Sequence, residues 1–166
     1  MDKEEMIKNF EFLKENLPGT DIPGKARVKC RYRDLSKFAK VYGFEDPKYV
    51  GSKEDGIVAC KAWANAITVK SFYILIPATK LTQNGEERPF LLNPNKLLHA
   101  GNQYNWEGCV PMKDGDKIIS RGKWGKMWLN KDNMILFAEL LLTAKNENDE
   151  TVVKVTTQAA VRPGGY

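Results

Sequence analysis

The hydrophobic positions change period along the chain. From Lys3 to Leu17 the apolar residues Met6, Ile7, Phe10, Leu13 and Leu17 recur at helical spacing, and Pro18-Gly19 stops the pattern. This predicts an amphipathic N-terminal helix. A linker containing Pro18, Gly19, Pro23 and Gly24 leads into Ala26-Arg27-Val28-Lys29-Cys30-Arg31-Tyr32, whose alternation of period two predicts a half-buried strand with its charged face in water. Asp34 is then placed to cap a short helix, with Leu35, Phe38, Ala39 and Tyr42 as its apolar side and Gly43 at its end.

Between Ala59 and Ile76 the chain is apolar on most faces. Trp63, Ala66, Ile67, Phe72, Tyr73 and Ile74 leave a narrow polar stripe through Lys61, Asn65 and Thr68, so this segment is predicted to be a helix wrapped by other structure. The polar run from Pro77 to Pro94 reads as a surface excursion, with Asn84-Gly85 as a tight turn. Four strands are predicted after it: Leu97 to Trp106, Lys117 to Trp128, Met134 to Ala144 and Thr151 to Val161. The last alternates most cleanly, with Val153, Val155, Ala159 and Val161 on one face and Lys154, Thr156 and Gln158 on the other. Strict alternation along the second would put Trp124 and Trp128 on one face and Lys123 on the opposite one. One long apolar helix followed by four long strands implies an α+β architecture, an antiparallel sheet wrapped around a central helix. No internal repeat interrupts it. A single domain over 1–166 is expected, with the N-terminal helix and linker over 1–24 and the core over 25–166.

Composition narrows the class. A chain of 166 residues with 42% hydrophobic and 28% charged side chains has the makeup of an ordinary globular domain that needs no disulfide or metal to hold its core. With 26 basic against 21 acidic side chains, the net charge of +5 favours an anionic partner without identifying one. The cysteines Cys30, Cys60 and Cys109 are odd in number, far apart and without CxxC spacing, so neither a disulfide framework nor a metal site is expected. The first five residues, Met1-Asp2-Lys3-Glu4-Glu5, lack the apolar stretch of a secretory signal, and the longest apolar run carries Lys61 and Lys70 well inside it. The expectation is a cytoplasmic protein with reduced thiols and no membrane association.

Two stretches carry a resemblance. The first is Gly43-Phe44-Glu45-Asp46-Pro47-Lys48-Tyr49, followed by Gly56-Ile57-Val58-Ala59-Cys60-Lys61 at the entrance to the central helix. The second, more specific, is Leu98-His99-Ala100-Gly101-Asn102-Gln103-Tyr104-Asn105-Trp106 with Val110-Pro111-Met112-Lys113-Asp114-Gly115-Asp116-Lys117-Ile118 after it. In this order they resemble the MaoC-like hydratases and dehydratases, whose fold is the hot-dog fold, and the likeness runs over most of the chain. In that family the first segment reads Gly-Asp-x-Asn-Pro-Leu-His, and the second is an LHAGQ-like strand with a P-x-x-x-G-D turn. The resemblance implies a hot-dog core, an acyl-CoA or acyl-carrier thioester as substrate, and no cofactor.

The departures are as informative as the matches. The family's Asp and His activate water and move a proton at the acyl α-carbon, work that needs a carboxylate and an imidazole in reach of each other. Here Phe44 stands where the Asp would be and Tyr49 where the His would be. Phenylalanine has no proton to exchange, and a tyrosine phenol, ordinarily ionising near ~10, is a poor base at neutral pH. Candidate replacements are Glu45, one residue out of register, Tyr49 itself, and His99, the only histidine; His99 reads first as a hydrogen-bonded structural residue and only second as a catalyst. Asp46 reads as a brace for the turn at Pro47. No G-x-S-x-G elbow supports a nucleophilic triad.

Binding residues are expected where the family's helix entrance polarises the thioester carbonyl, which here falls at Cys60 and Lys61, with Trp63 beside them. Lys61 could pair with a phosphate or acyl carboxylate, or reach out of a buried helix to water. The run Arg121-Gly122-Lys123-Trp124-Gly125-Lys126-Met127-Trp128 mixes cations and aromatics, so Arg121 and Lys123 are candidates for gripping a nucleotide, against packing as the alternative. No RNP, KH or zinc-finger pattern points to nucleic acid. Arg162, at the end of the last strand, either holds a phosphate or caps the sheet edge. The resulting expectation is the acyl-binding, non-catalytic half of an enoyl-thioester hydratase or 3-hydroxyacyl-thioester dehydratase, paired edge to edge with a catalytic hot-dog subunit that supplies Asp and His. Two alternatives stay open. One is a homodimeric hydratase or thioesterase using Glu45, Tyr49 or His99; the other is a non-catalytic acyl-CoA-binding scaffold.

Overall fold

A computed structural model describes residues 1–166. The N-terminal helix α1 spans Lys3–Asn16, its first turn held by the Asp2 carboxylate accepting from the Glu5 N–H at 2.9 Å. Met6, Phe10, Leu13 and Leu17 are buried, so the apolar stripe read from the sequence is the packed face. Strand β1 is only Ala26–Lys29, shorter than the alternation suggested, and helix α2 already begins at Tyr32 and runs to Val41. The cause lies far away in sequence. The turn after Met112 reaches over the end of β1: the Cys30 N–H donates to the Asp116 carbonyl, the Gly115 N–H to the Cys30 carbonyl, and the Tyr32 N–H to the Asp114 carboxylate at 2.6 Å. Asp114 therefore caps α2 in place of Asp34, which lies inside the helix; the local N-cap residue, Arg31, makes no side-chain cap. Gly115, at φ +97, takes the backbone conformation that lets the turn fold this way.

A short helix α3, Pro47–Val50, and a 3₁₀ turn, Lys61–Trp63, precede the central helix α4, Ala64–Ala78. The helix thus starts later than the apolar run, because the chain through Ala59 is extended and bonded across to Met112. Pro77 near its end cannot donate a helical hydrogen bond, and the helix stops one residue later. The hairpin β2, Lys80–Gln83, and β3, Glu86–Pro89, turns at Asn84 and Gly85, both at positive φ, as a two-residue loop of this type requires.

The remaining strands are β4, Leu97–Asn105, β5, Lys117–Asn130, β6, Ile135–Lys145, and β7, Thr151–Val161. They form one antiparallel five-stranded sheet with β1 in the order β1-β5-β6-β7-β4, curled around α4. Its inner face presents Leu136, Ala138, Leu140 and Leu142 from β6 and Val153, Val155, Ala159 and Val161 from β7, all buried. The alternation read for β7 is the observed one. Along β5 it breaks: the register shifts between Trp124 and Met127, so Trp124 is buried while Trp128 lies outside, stacked on Phe137 at 5.3 Å. The two tryptophans do not share a face.

The helix is also less wrapped than its sequence implied. Ile67, Thr68, Ser71, Phe72, Leu75 and Ile76 are buried, yet Val69, Tyr73 and Ile74 are 38%, 57% and 42% exposed. Thr68, expected on the polar stripe, is buried with its hydroxyl donating to the Ala64 carbonyl. The exposed residues of α4 are therefore mostly apolar, with Lys70 among them. No helix is long and apolar enough to cross a membrane.

Candidate functional site

The segment Pro47 to Lys61 crosses the segment Trp106 to Lys113, and a cleft forms where they meet. The Val58 N–H donates to the Lys48 carbonyl and the Ala59 N–H to the Met112 carbonyl, both at 2.8 Å, with Val58 and Lys113 in an isolated bridge. The cleft encloses about 290 Å³. Tyr49, Val58, Trp106 and Val110 supply apolar wall, and Lys61 is its one cation. The Lys61 ammonium lies 5.5 Å from the centre of the Trp106 ring, close enough to be held by the ring's negative face. Cys60 is buried at the start of the 3₁₀ turn. No side chain caps that start or the following one at Trp63, so N–H groups at the positive end of the helix are left for an acceptor such as a carbonyl oxygen.

The two positions that the resemblance sets against a catalytic pair, Phe44 and Tyr49, are in contact. Their rings pack edge to face at 5.1 Å, both half-buried. Glu45 points to solvent without a hydrogen-bond partner. Asp46 braces the turn as the sequence suggested: its carboxylate accepts from the Lys48 N–H at 2.9 Å and pairs with the Lys48 ammonium at 3.0 Å. The backbone bond first, and the side-chain bond after it, hold the Asp46 carboxyl below its ordinary range; the same pairing raises the Lys48 ammonium.

From the cleft a polar network runs along β4. The Asn102 amide nitrogen donates to the Tyr104 hydroxyl at 3.1 Å and to Asn65 Oδ1 at 3.4 Å, and Asn102 Oδ1 meets His99 Nε2 at 2.8 Å. Tyr104 stacks toward Trp106, and the His99 ring sits edge-on to Phe72 at 5.2 Å. Asn65 and Phe72, seven residues apart, share the side of α4 turned to β4. His99 thus belongs to an exposed amide network with no carboxylate on its ring. A bulge between His99 and Gly101 sets this register, placing Asn102 and Tyr104 on the helix side.

The remaining candidates are scattered. Trp63 is buried on the far side of the turn that carries Lys61. Arg121 and Lys123 lie on the outer face of β5, Arg121 near Lys145 and Asp149, Lys123 paired with Asp21 at 3.6 Å. Arg162 is exposed beyond β7, its backbone N–H donating to the Lys96 carbonyl. Of the binding residues read from the sequence, the fold brings only Lys61 to the cleft wall, with Tyr49 also lining it; Cys60, next in sequence, is buried and does not line it. Asn102, Tyr104 and Trp106 were missed, although the period-two spacing within the LHAGNQYNW strand aligns them, and the stripe through Lys61 and Asn65 marked the helix side that meets them. Burial, with Asp116 next, pushes the Cys30 thiol up to about 12, so it is an inert core residue.

The curled sheet, its strand order and the helix in its concavity decide the architecture. The chain has the hot-dog fold. No protein-family model and no curated protein sequence matches it. Solved structures do. A MaoC-like dehydratase from Rhodospirillum rubrum aligns with a TM-score of 0.61 at 17% identity, covering 90% of this chain and 95% of that one. The R-hydratase PhaJ1 from Pseudomonas aeruginosa gives 0.61 at 14% identity over 90% of this chain and 84% of the other. The 3R-hydroxyacyl-ACP dehydratase complex HadBC from Mycobacterium tuberculosis gives 0.55 at 14% identity over 89% and 99%. The hot-dog likeness expected from the sequence is thereby shown at the level of the fold.

Proposed function

We propose that this chain is the acyl-recognising subunit of an enoyl-thioester hydratase or 3-hydroxyacyl-thioester dehydratase, and that a second hot-dog subunit supplies the Asp and His. The observation that carries the reading is the packing of Phe44 against Tyr49, the two residues that the resemblance aligns with a proton-transfer pair, beside an apolar cleft that ends at an uncapped helix start. The cleft has what an acyl thioester needs for binding: apolar wall for the chain, N–H groups for the carbonyl, and the Lys61 cation at its rim. It lacks a carboxylate–imidazole pair to move a proton. Water would be added or removed across the α,β double bond by the partner's residues, with this chain fixing the acyl group in reach.

The partner's place is supported by the surface around β4. That strand is a sheet edge, and α4 exposes Val69 and Tyr73. Pairing β4 with a partner's edge strand would satisfy its free backbone groups and cover these side chains. The hetero-oligomeric dehydratase among the structural neighbours is consistent with such an arrangement.

The test is to purify the chain alone and with a hot-dog subunit that carries an intact Asp/His segment, then to measure hydration of a crotonyl thioester. Activity of the pair but not of the isolated chain is expected. Turnover by the chain alone would replace this reading with the homodimeric enzyme. Acyl-thioester binding with no turnover, even beside an active partner, would replace it with the scaffold.

A further inference from the structure

A second concavity lies on the opposite edge of the sheet, and its chemistry differs from that of the cleft. A groove of about 600 Å³ runs along the free side of β1. One bank is the strand: Arg27, Lys29 and Arg31, two residues apart, are all exposed on one face. Lys117 joins them from β5, directly opposite Lys29 in the register. The other bank is a helical stripe, Trp63, Ala66 and Lys70, spaced three and four residues apart.

Like charges directly opposite each other across two strands destabilise a sheet. Lys29 and Lys117 are such a pair, and none of the five cations in the groove forms an ion pair within the chain. The neighbouring carboxylates are engaged elsewhere. Asp34 contacts Arg33, Asp114 accepts from the Tyr32 N–H, Asp116 from the Lys113 N–H, and Glu147 from the Lys117 N–H at 2.6 Å. The Lys117 N–H first, and the Lys117 and Lys29 charges after it, hold the Glu147 carboxyl below its ordinary range. Five cations converging on a concave site that holds one carboxylate, Asp34, in contact with Arg33, while the other nearby carboxylates accept from backbone N–H groups, form a receptor for a multiply charged anion.

We propose that this groove binds a bisphosphorylated nucleotide, the phosphate-bearing end of a coenzyme A thioester whose acyl end occupies the cleft. The inference rests on the acyl-thioester reading above. The two sites adjoin through the Lys61–Trp63 turn, which offers Lys61 to the cleft and Trp63 to the groove. The groove volume suits a small ligand. Its only aromatic, Trp63, is 8% exposed, so the groove would hold the ligand by its phosphates and not by stacking on its base, unlike a single-stranded nucleic-acid site.

The test titrates the whole chain separately with adenosine 3′,5′-bisphosphate and with an S-acyl-pantetheine that lacks phosphate, using calorimetry. One nucleotide per chain is expected. Lys29→Gln with Lys117→Gln, both at exposed positions, should weaken it by about tenfold or more and leave the acyl-pantetheine affinity unchanged. Lys61→Ala should do the reverse. Nucleotide affinity unaltered in the double variant overturns the groove. So does acyl-pantetheine binding without nucleotide binding, which leaves the cleft reading standing, and so does binding of an oligonucleotide or an acidic carrier protein in place of the nucleotide. Nucleotide binding without acyl-pantetheine binding supports the groove and removes the cleft. Binding of neither removes both.

Discussion

At one edge of the sheet, β4 runs for nine residues, Leu97–Asn105, without an Asp, Glu, Lys or Arg; at the other, β1 carries Arg27 and Lys29 within four residues, with Arg31 just beyond. Both strands have one side unpaired. A charged, short edge resists pairing with another chain, and a long uncharged one invites it. On the functions proposed above, the two edges would take different partners, a protein at β4 and an anion at β1.

The largest expected effect comes from making the β4 edge resemble β1. Ala100→Lys places a cation on the exposed strand and should cost roughly 2–5 kcal/mol of association with the partner subunit, read by sedimentation velocity. Lys29→Ala at the opposite edge should leave association unchanged; loss of assembly from that variant would erase the contrast. Next in size, Trp106→Ala removes a cleft wall and the ring under Lys61, and should weaken an acyl-pantetheine by about 1–2 kcal/mol without altering nucleotide binding.

At the β1 end, Asp114→Ala removes the carboxylate that caps α2 and should lower stability by about 1 kcal/mol, a fall of roughly 2–4 °C in the calorimetric Tm. The smallest effect belongs to Asp46. Its carboxyl is held below the ordinary range, so the stabilisation from its Lys48 bonds is present above the unfolded-state value and is lost as pH falls through the lowered folded value. The stability difference between wild type and Asp46→Asn should therefore be present at neutral pH and close on acidification. A difference that widened as pH fell would contradict the sign.

Much of this was legible in residue order. Period-two alternation located β7, and the Asp-Gly-Asp turn was read as the reversal before the strand that begins at Lys117. Asp46 was read as the brace it is. What escaped was whatever depends on pairing between distant segments. The cap of α2 by Asp114 joins residues 82 positions apart, and the bulge that separates Trp124 from Trp128 exists only because β6 sets the register of β5. Likewise, Asn65, Asn102 and Tyr104 meet only when α4 lies along β4.

The sequence by itself determined where the long helices and strands lie and that one apolar helix must sit against a sheet, because each follows from local period. Only the tertiary structure decided that α4 is wrapped on one side and open on the other. It alone decided that one sheet edge is neutral while the other gathers five cations, and that Lys61 and Trp63 face two different cavities across a single turn. Those properties arise from the curl of the sheet and from which strands end unpaired, and no window of adjacent residues contains them.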